Sequence, residues 1–455
     1  MSETAGNHEG MLGREGARRL LEAVLRRSGA DATEAVLSYT RSALTRFADN
    51  YIHQNVAEES PTLTVRAVVG ARVGTASTSR LDDAGLAAVA EQALAVARLA
   101  PENPDFPGLP GPAGESSEAA FSAATADCSP ERRAELAGVA CRLAREAGLR
   151  ASGSVTTSGE ELAVANSLGV FAYTPLSRAA ITVVANGDSG SGYAEDRALD
   201  IATLDAEVLA RRSVETGRRA QNPVAIGPGD YTVILRPEAV ADITAFLARL
   251  GFGAKAVAEG RSFIAGKEGQ RVLGDNVTLW DDGENPRGLP QPFDYEGQPR
   301  RRLSLIERGV ARDIATDSFY AARLGRANNG HALPAIMRFF AGPMPINMFM
   351  APGTATLDEL IRSTERGLLV THFHYTRVVH PLHVIVTGMT RDGTFLIENG
   401  EVTRPVKNLR YTQSYLEALR DVQAIGSETR LAGEWLVSRV PALKIGRFSF
   451  TGVTE

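Results

Sequence analysis

An α+β fold in two parts, a layered N-terminal half and a β-rich C-terminal half, is predicted by three features of the chain. Over roughly the first 220 residues, helix–strand–strand–helix–strand blocks recur, the pattern of helices layered on sheet rather than of a doubly wound sheet. Beyond about residue 250, glycines and short apolar runs replace long helical periodicities. Between the two regimes the polar stretch 220–230 ends in Gly227-Pro228-Gly229, which places a boundary there and divides 1–225 from 226–455. Neither GxGxxG with its following acid nor GxxxxGK[ST] occurs, so no nucleotide fingerprint argues for a different architecture.

The elements follow in order. Leu20, Leu21, Val24 and Leu25 form one stripe of an amphipathic helix over 12–28, with arginines opposite and Gly29 closing it. Ala35–Tyr39 and Ala43–Phe47 read as strands. A further extended segment begins at Asn55 and returns at Gly70-Ala71-Arg72 as a hairpin. The helix at 81–99 is small and aliphatic on most faces, which predicts that it is well covered. Residues 101–118 carry too much proline and glycine for helix or sheet and form an irregular connector. A helix at 130–148 precedes strands near 151–157, 161–166 and 170–186, a flexible turn at Gly187–Gly192, and a helix at about 203–219. In the second half, Val233–Leu235 is a strand that feeds a helix from Pro237 to Leu250. Pro237 suits a first helical turn, where its missing N–H is no loss, and Gly251 ends the helix. Val277–Trp280, Leu303–Glu307 and Val310–Ile314 read as strands, and Thr356–Arg366 as a helix. A hairpin turn is expected at Arg391-Asp392-Gly393, with Phe395, Ile397 and Val402 facing a sheet core.

Composition narrows the function classes. The chain has 455 residues, 44% hydrophobic and 23% charged, with a formal net charge of −5, an ordinary globular composition without the basic footprint of a nucleic-acid binder. No window approaches the ~18–20 consecutive apolar residues a membrane helix needs. The start, MSETAGNHEGMLGREGARR, lacks the apolar region of a secretory signal, so a cytoplasmic location is expected. Cys128 and Cys141 are too few for a disulfide framework, and Cys141 lies on the Leu136/Val139 side of its helix, a core position.

The strand–helix segment Tyr231–Gly266, with Pro237-Glu238-Ala239-Val240-Ala241-Asp242 opening its helix, resembles the signature segment of the TldD/PmbA (TldE) family of modulator-of-gyrase type proteins. The stretch RFADNYIHQNVAEE (46–59), the C-terminal block TGMTRDGTFLIENG followed by N-x-R-x-x-Q-S, and the closing strand VPALKIGRFSFTG resemble the same family over about residues 12–452. In catalytic TldD-type members the helix carries HExxxH, two histidines binding zinc and the glutamate acting as base. Here Pro237 and Asp242 stand at the histidine positions and only Glu238 remains. The third ligand, a cysteine before the closing strand, would fall near Ser427, and no cysteine follows Cys141. Proline binds no metal and serine does not replace a thiolate, so the resemblance is to the PmbA/TldE branch. It implies a dimer enclosing a central cavity, no cofactor in this chain, and zinc in a TldD-type partner that hydrolyses peptide or amide bonds in small peptides or modified natural products.

Glu238 reads either as a residual base or as a first-turn acid complementing the helix dipole. Substrate-cavity candidates are His53, Arg300, His331, His372, His374 and His383. The resemblance puts Asp294, Glu296 and Gly297 near the cavity and the loop 323–334, with His331, near the variable substrate loop; the ordinary reading of Arg300-Arg301-Arg302 is a solvated basic turn. Four of seven histidines crowd into 372–383. Residues two apart share a strand face, so His372 and His374, joined by His383 across a turn, offer an alternative metal site and with it a self-sufficient metallohydrolase. A further alternative is a homodimeric peptide-binding module without chemistry. Neither membrane nor nucleic acid is expected as a partner.

Overall fold

The computed structural model describes residues 10–114, 116 and 121–453; the polar start of the chain and Glu115, Ser117 and Glu118 of the connector lie outside the described residues. The fold is α+β, with two sheets. The first sheet is built from β1 (Ala32–Ala48), β2 (Tyr51–Val69), β3 (Arg72–Thr78), β4 (Arg150–Asn166), β5 (Phe171–Asn186) and β6 (Ser191–Ala198). Their order is β3-β2-β1-β4-β5-β6, antiparallel throughout. The strands are longer than the sequence suggests: the two runs in 35–47 are one strand, as are those in 151–166. β6 was not expected at all; its Gly-Ser-rich start reads as part of the preceding turn.

Helices α1 (Gly13–Arg27), α2 (Asp83–Leu99), α3 (Ala123–Ala126), α4 (Pro130–Glu146) and α5 (Ala206–Arg219) accompany this sheet. Serine or aspartate N-caps start α2, α3, α4 and α5, each accepting a backbone N–H of the first turn. Two apolar clusters result. α1 and α2 pack on β1–β2 through Leu21, Val24, Leu37, Leu63 and Val89, and α4 and α5 pack on β4–β5 through Leu136, Cys141, Val155, Ile181 and Leu209. α2 is covered on one side only, since Val96 and Leu99 are exposed.

The second sheet starts at β7 (Gly229–Leu235), which feeds α6 (Pro237–Leu250), and α7 (Ala254–Ala258) follows. Then come β8 (Leu279–Asp281), β9 (Leu303–Glu307), β10 (Val310–Ala311), α8 (Ser318–Leu324), α9 (Ala335–Ala341), β11 (Met348–Met350), α10 (Leu357–Arg362), β12 (Arg366–His380), β13 (Ile385–Glu398), β14 (Glu401–Val406), β15 (Leu409–Ser414), α11 (Tyr415–Arg420), β16 (Val422–Ala432) and β17 (Ser438–Val453). The path β7-β12-β13-β15-β17 closes on itself, because β17 pairs with both β15 and β7. α6 is mostly apolar and almost wholly buried, with Val240, Ile243, Phe246 and Leu247 in the main core. Its burial fixes the direction in which Glu238 and Asp242 point.

One turn prediction is corrected. Arg391-Asp392-Gly393 lies inside β13, where Asp392 (φ 53°) and Gly393 (φ 112°) make a bulge opposite a register shift between Val370 and His372. The chain reverses instead around 381–384 and at Asn399-Gly400, whose positive φ angles are those of a type I′ turn.

Candidate functional site: a polar cavity between the two sheets

Four elements meet around a cavity of about 510 Å³. Their contributions are the face of β4–β6, the first turns of α6, the bulged part of β12–β13, and the segment Gly433–Leu436 before β17. Two more open depressions, about 610 and 840 Å³, lie along the outer parts of β1 and β2 and include none of the α6 residues.

On α6, Glu238 and Asp242 are four residues apart and both line the cavity, as residues one helical turn apart on one face must. The Glu238 side chain is 3% exposed, and Arg212 of α5 donates to its Oε1 at 2.8 Å. Its Oε2 is buried and receives no hydrogen bond. Glu238 lies in the first turn of α6, where a carboxylate complements the helix dipole, and it also makes an ion pair between the two halves of the chain. Asp242 accepts a hydrogen bond from the Tyr415 hydroxyl at 2.5 Å, which continues through Tyr411 to Thr376, each step 2.9 Å. Burial raises the Asp242 pKa to about 6, against the pull of the Tyr415 and Thr376 hydrogen bonds.

On the opposite wall the bulge turns Asp392 into the cavity. Ser191 donates to one of its oxygens, and His372 Nε2 lies 3.6 Å from the other. The His372 ring rests against Tyr193 of β6, centroids 4.3 Å apart, and its Nδ1 has no partner. Burial depresses the pKa of His372, and burial followed by Arg391 depresses that of His374, so both imidazoles are favoured in the neutral form. Glu195 on β6 receives the Gly433 N–H at 2.9 Å and Arg197 at 3.0 Å, tying the 433–436 segment to the first sheet.

The remaining sequence candidates lie elsewhere. His383 is exposed and stacks on His380 (4.8 Å), outside the cavity, because the strand bulges and the 381–384 reversal carry it away from His372 and His374; the three-histidine site is not formed. Among the described residues no three His, Cys, Asp or Glu side chains are placed to hold a metal ion. His53 is exposed on β2 beside Tyr51. Arg300 and His331 sit in a buried cluster rather than on a cavity wall: Asp281 accepts from Arg300 at 2.6 Å and lies 3.1 Å from His331 Nε2, and its other oxygen takes two backbone N–H groups. The solvated-turn reading thus holds for Arg301 and Arg302 but not for Arg300. Ser427 is exposed on β16, its N–H bonded to Ala355 at 2.8 Å. The segment that faces Asp242 is Gly433–Leu436, which offers a carboxylate, Glu434, and an indole, Trp435, but no thiol or imidazole. The donor set at the α6 site, with proline and a tyrosine-bound aspartate at the two histidine positions, does not fit a zinc ion.

Sequence reading missed Arg212, Tyr193, Glu195, Asp392 and Trp435. The pairing of β5 with β6 brings in Tyr193 and Glu195, the bulge of β13 brings in Asp392, α5 brings in Arg212 and the segment before β17 brings in Trp435; the one visible signal was the aromatic and charged residues of Tyr193–Arg197 following a Gly-Ser turn.

The site is thus a helix bearing PExxxD beneath a cavity between two sheets, with no imidazole on the helix. The family models described as PmbA/TldA metallopeptidase domain 1 and PmbA/TldA metallopeptidase C-terminal domain match residues 33–97 and 228–452, together well over half the chain, and the protein belongs to the PmbA/TldD family. A metalloprotease of Methanothermobacter thermautotrophicus is 27% identical over 281 residues, covering 58% of this chain and 60% of the relative's length. The metalloprotease TldD homolog of Haemophilus influenzae is 25% identical over 394 residues, 81% of this chain and 79% of that protein. The crystal structure of TldE from Thermococcus kodakarensis superposes with a TM-score of 0.86 at 22% identity, covering 96% of this chain and 99% of that one, a likeness of fold.

Proposed function

We propose that the chain is a TldE/PmbA-like non-catalytic subunit that pairs with a TldD-type zinc metallopeptidase and completes its cavity for hydrolysis of peptide or amide bonds in small peptides or modified natural products. The carrying observation is the chemistry of the α6 positions. Pro237 has no donor, Glu238 is engaged by Arg212, and Asp242 is engaged by Tyr415. A glutamate ion-paired in this way is a poor base for activating water, and the zinc and base are supplied by the partner. The contribution of this subunit is shape, charge and access, which set the orientation of the scissile bond. The pairing takes place in the cytoplasm. Among the described residues no helix is long and apolar enough to cross a membrane.

The test is metal analysis and amidase assay of the chain purified alone, then co-expressed with a TldD-type homologue. The chain alone is expected to hold well under one zinc per molecule and to leave peptides intact, and the co-purified complex to hydrolyse them. Stoichiometric zinc on this chain alone, or hydrolysis without the partner, overturns the reading.

A further inference from the structure

Two acceptor atoms in the cavity receive no hydrogen bond, Glu238 Oε2 and His372 Nδ1, and both are buried. We propose that the cavity binds a primary ammonium group, the free N-terminus of a short peptide, on Glu238 and His372. The peptide identity of the ligand rests on the function proposed above; the ammonium preference rests on the site alone.

A buried carboxylate oxygen without a donor is costly, and native proteins rarely leave one. Arg212 occupies Oε1 and leaves Oε2 without a donor among the described residues, on a cavity-lining side chain that is 3% exposed. The role of His372 follows from its neighbour. With Nε2 3.6 Å from the Asp392 carboxylate, that charge favours the neutral tautomer protonated at Nε2, which presents a lone pair at Nδ1. Burial keeps the ring neutral. A group matching these two atoms brings several donors and no acceptor, which describes an ammonium. An anion meets Glu238, Asp392 and Glu434 on the same walls and is disfavoured, and a metal ion lacks three converging donors. Tyr193, packed on His372, adds an aromatic face near the cation. Of the cations on the wall, Arg197 is engaged by Glu195, and Arg391 is half exposed beside Asp392. The volume, about 510 Å³, accommodates a ligand of a few residues.

The experiment is calorimetric titration of the full chain at neutral pH with alanyl-alaninamide and with its N-acetyl form, two ligands that differ in the ammonium. The free amine is expected to bind, and the acetylated peptide to bind about tenfold or more weakly, the worth of one charge-assisted hydrogen bond. Glu238→Gln should erase the difference. Because that change also disturbs Arg212, His372→Phe provides the second arm: it keeps a ring against Tyr193, removes Nδ1, and should weaken the free amine while leaving the acetylated peptide unchanged. Equal affinities for the two peptides, no binding of either, or an unaltered preference in His372→Phe overturns the proposal. None of these readouts depends on zinc or turnover, so failure here leaves the subunit reading standing, and failure of that reading leaves this one measurable.

Discussion

Asp242 shows how one residue change alters the chemistry of a whole helix. A histidine there could turn a lone pair toward a metal, whereas a buried carboxylate must find a proton or a donor, and Tyr415 supplies the donor at 2.5 Å. The pKa of about 6 lies above the ordinary value of 3.8, so between those values the folded chain holds a proton that the unfolded chain has released. Stability is therefore undiminished below about pH 4, falls as pH rises toward 6, and is level beyond. Asp242→Asn keeps an oxygen for Tyr415 and has no charge to bury. Relative to wild type, its stability should improve by about 1–1.5 kcal/mol between pH 5 and pH 8, the part of the titration still incomplete at pH 5. Urea midpoints of both proteins at the two pH values check this, and a pH-independent difference refutes it. That Asp242 stands one helical turn from Glu238 on the same face was legible from the spacing in PEAVAD. That a tyrosine 173 residues further on holds it was not, because such a contact is set by the closure of β7 onto β17 and by where α11 begins.

At the scale of elements, the strongly periodic segments were readable: α1, α2, α4 and α6 lie within a few residues of their sequence-derived limits, since apolar stripes and capping residues are local signals. What escaped was set by strand pairing. β6 forms because β5 offers it an edge, and the Arg391-Asp392-Gly393 sequence, good turn chemistry in isolation, is held in a strand by β12 on one side and β15 nearby on the other. The bulge is the element that carries Asp392 into the cavity, and Gly393 is its steric requirement. A Cβ at this φ of 112° would stand 2.5 Å from Thr216 Cγ2 and 2.8 Å from Thr371 Oγ1. Thr371 in turn donates to the Gly393 carbonyl at 2.7 Å. Gly393→Ala is thus expected to cost about 2 kcal/mol or more, combining backbone strain with overpacking. It should also displace Asp392 from His372. Thermal unfolding reads the first effect, and the histidine ring resonances of His372 by NMR read the second. A variant that melts with wild type shows that the bulge is not under this constraint.

Across the whole molecule, the two sheets are joined on one side by the cavity and on the other by a buried charge network. Glu296, in the loop between β8 and β9, accepts from Arg66 of β2 at 3.2 Å, from Arg338 of α9 at 3.0 Å, and from the N–H and hydroxyl of Ser318; Arg66 also reaches Glu34 of β1 at 3.0 Å. Beside it Phe293 packs against Leu162 and Val164, and Gly297 approaches Val170 so closely that a Cβ would stand 2.6 Å from it. Burial pushes the Glu296 carboxyl up, but Arg338 and Arg66 outweigh it and hold the group low, whereas burial and the Glu296 charge hold Asp294 high. Asp294, Glu296 and Gly297, which the family resemblance puts near a cavity, lie at the junction between the sheets. Burying this many charges is favourable only while each has its counterion, and removing the Glu296 charge leaves Arg338 without its carboxylate and Arg66 with Glu34 alone. Glu296→Gln keeps the shape and one acceptor oxygen while discarding the charge, and should cost about 3–5 kcal/mol. Because the Glu296–Arg66 contact crosses between the sheets, calorimetry should show the unfolding endotherm of the variant broadening or splitting, with one sheet and its helices melting ahead of the other. A single endotherm shifted uniformly, or unshifted, would mean that Phe293 and its apolar neighbours, not the ions, keep the two halves together.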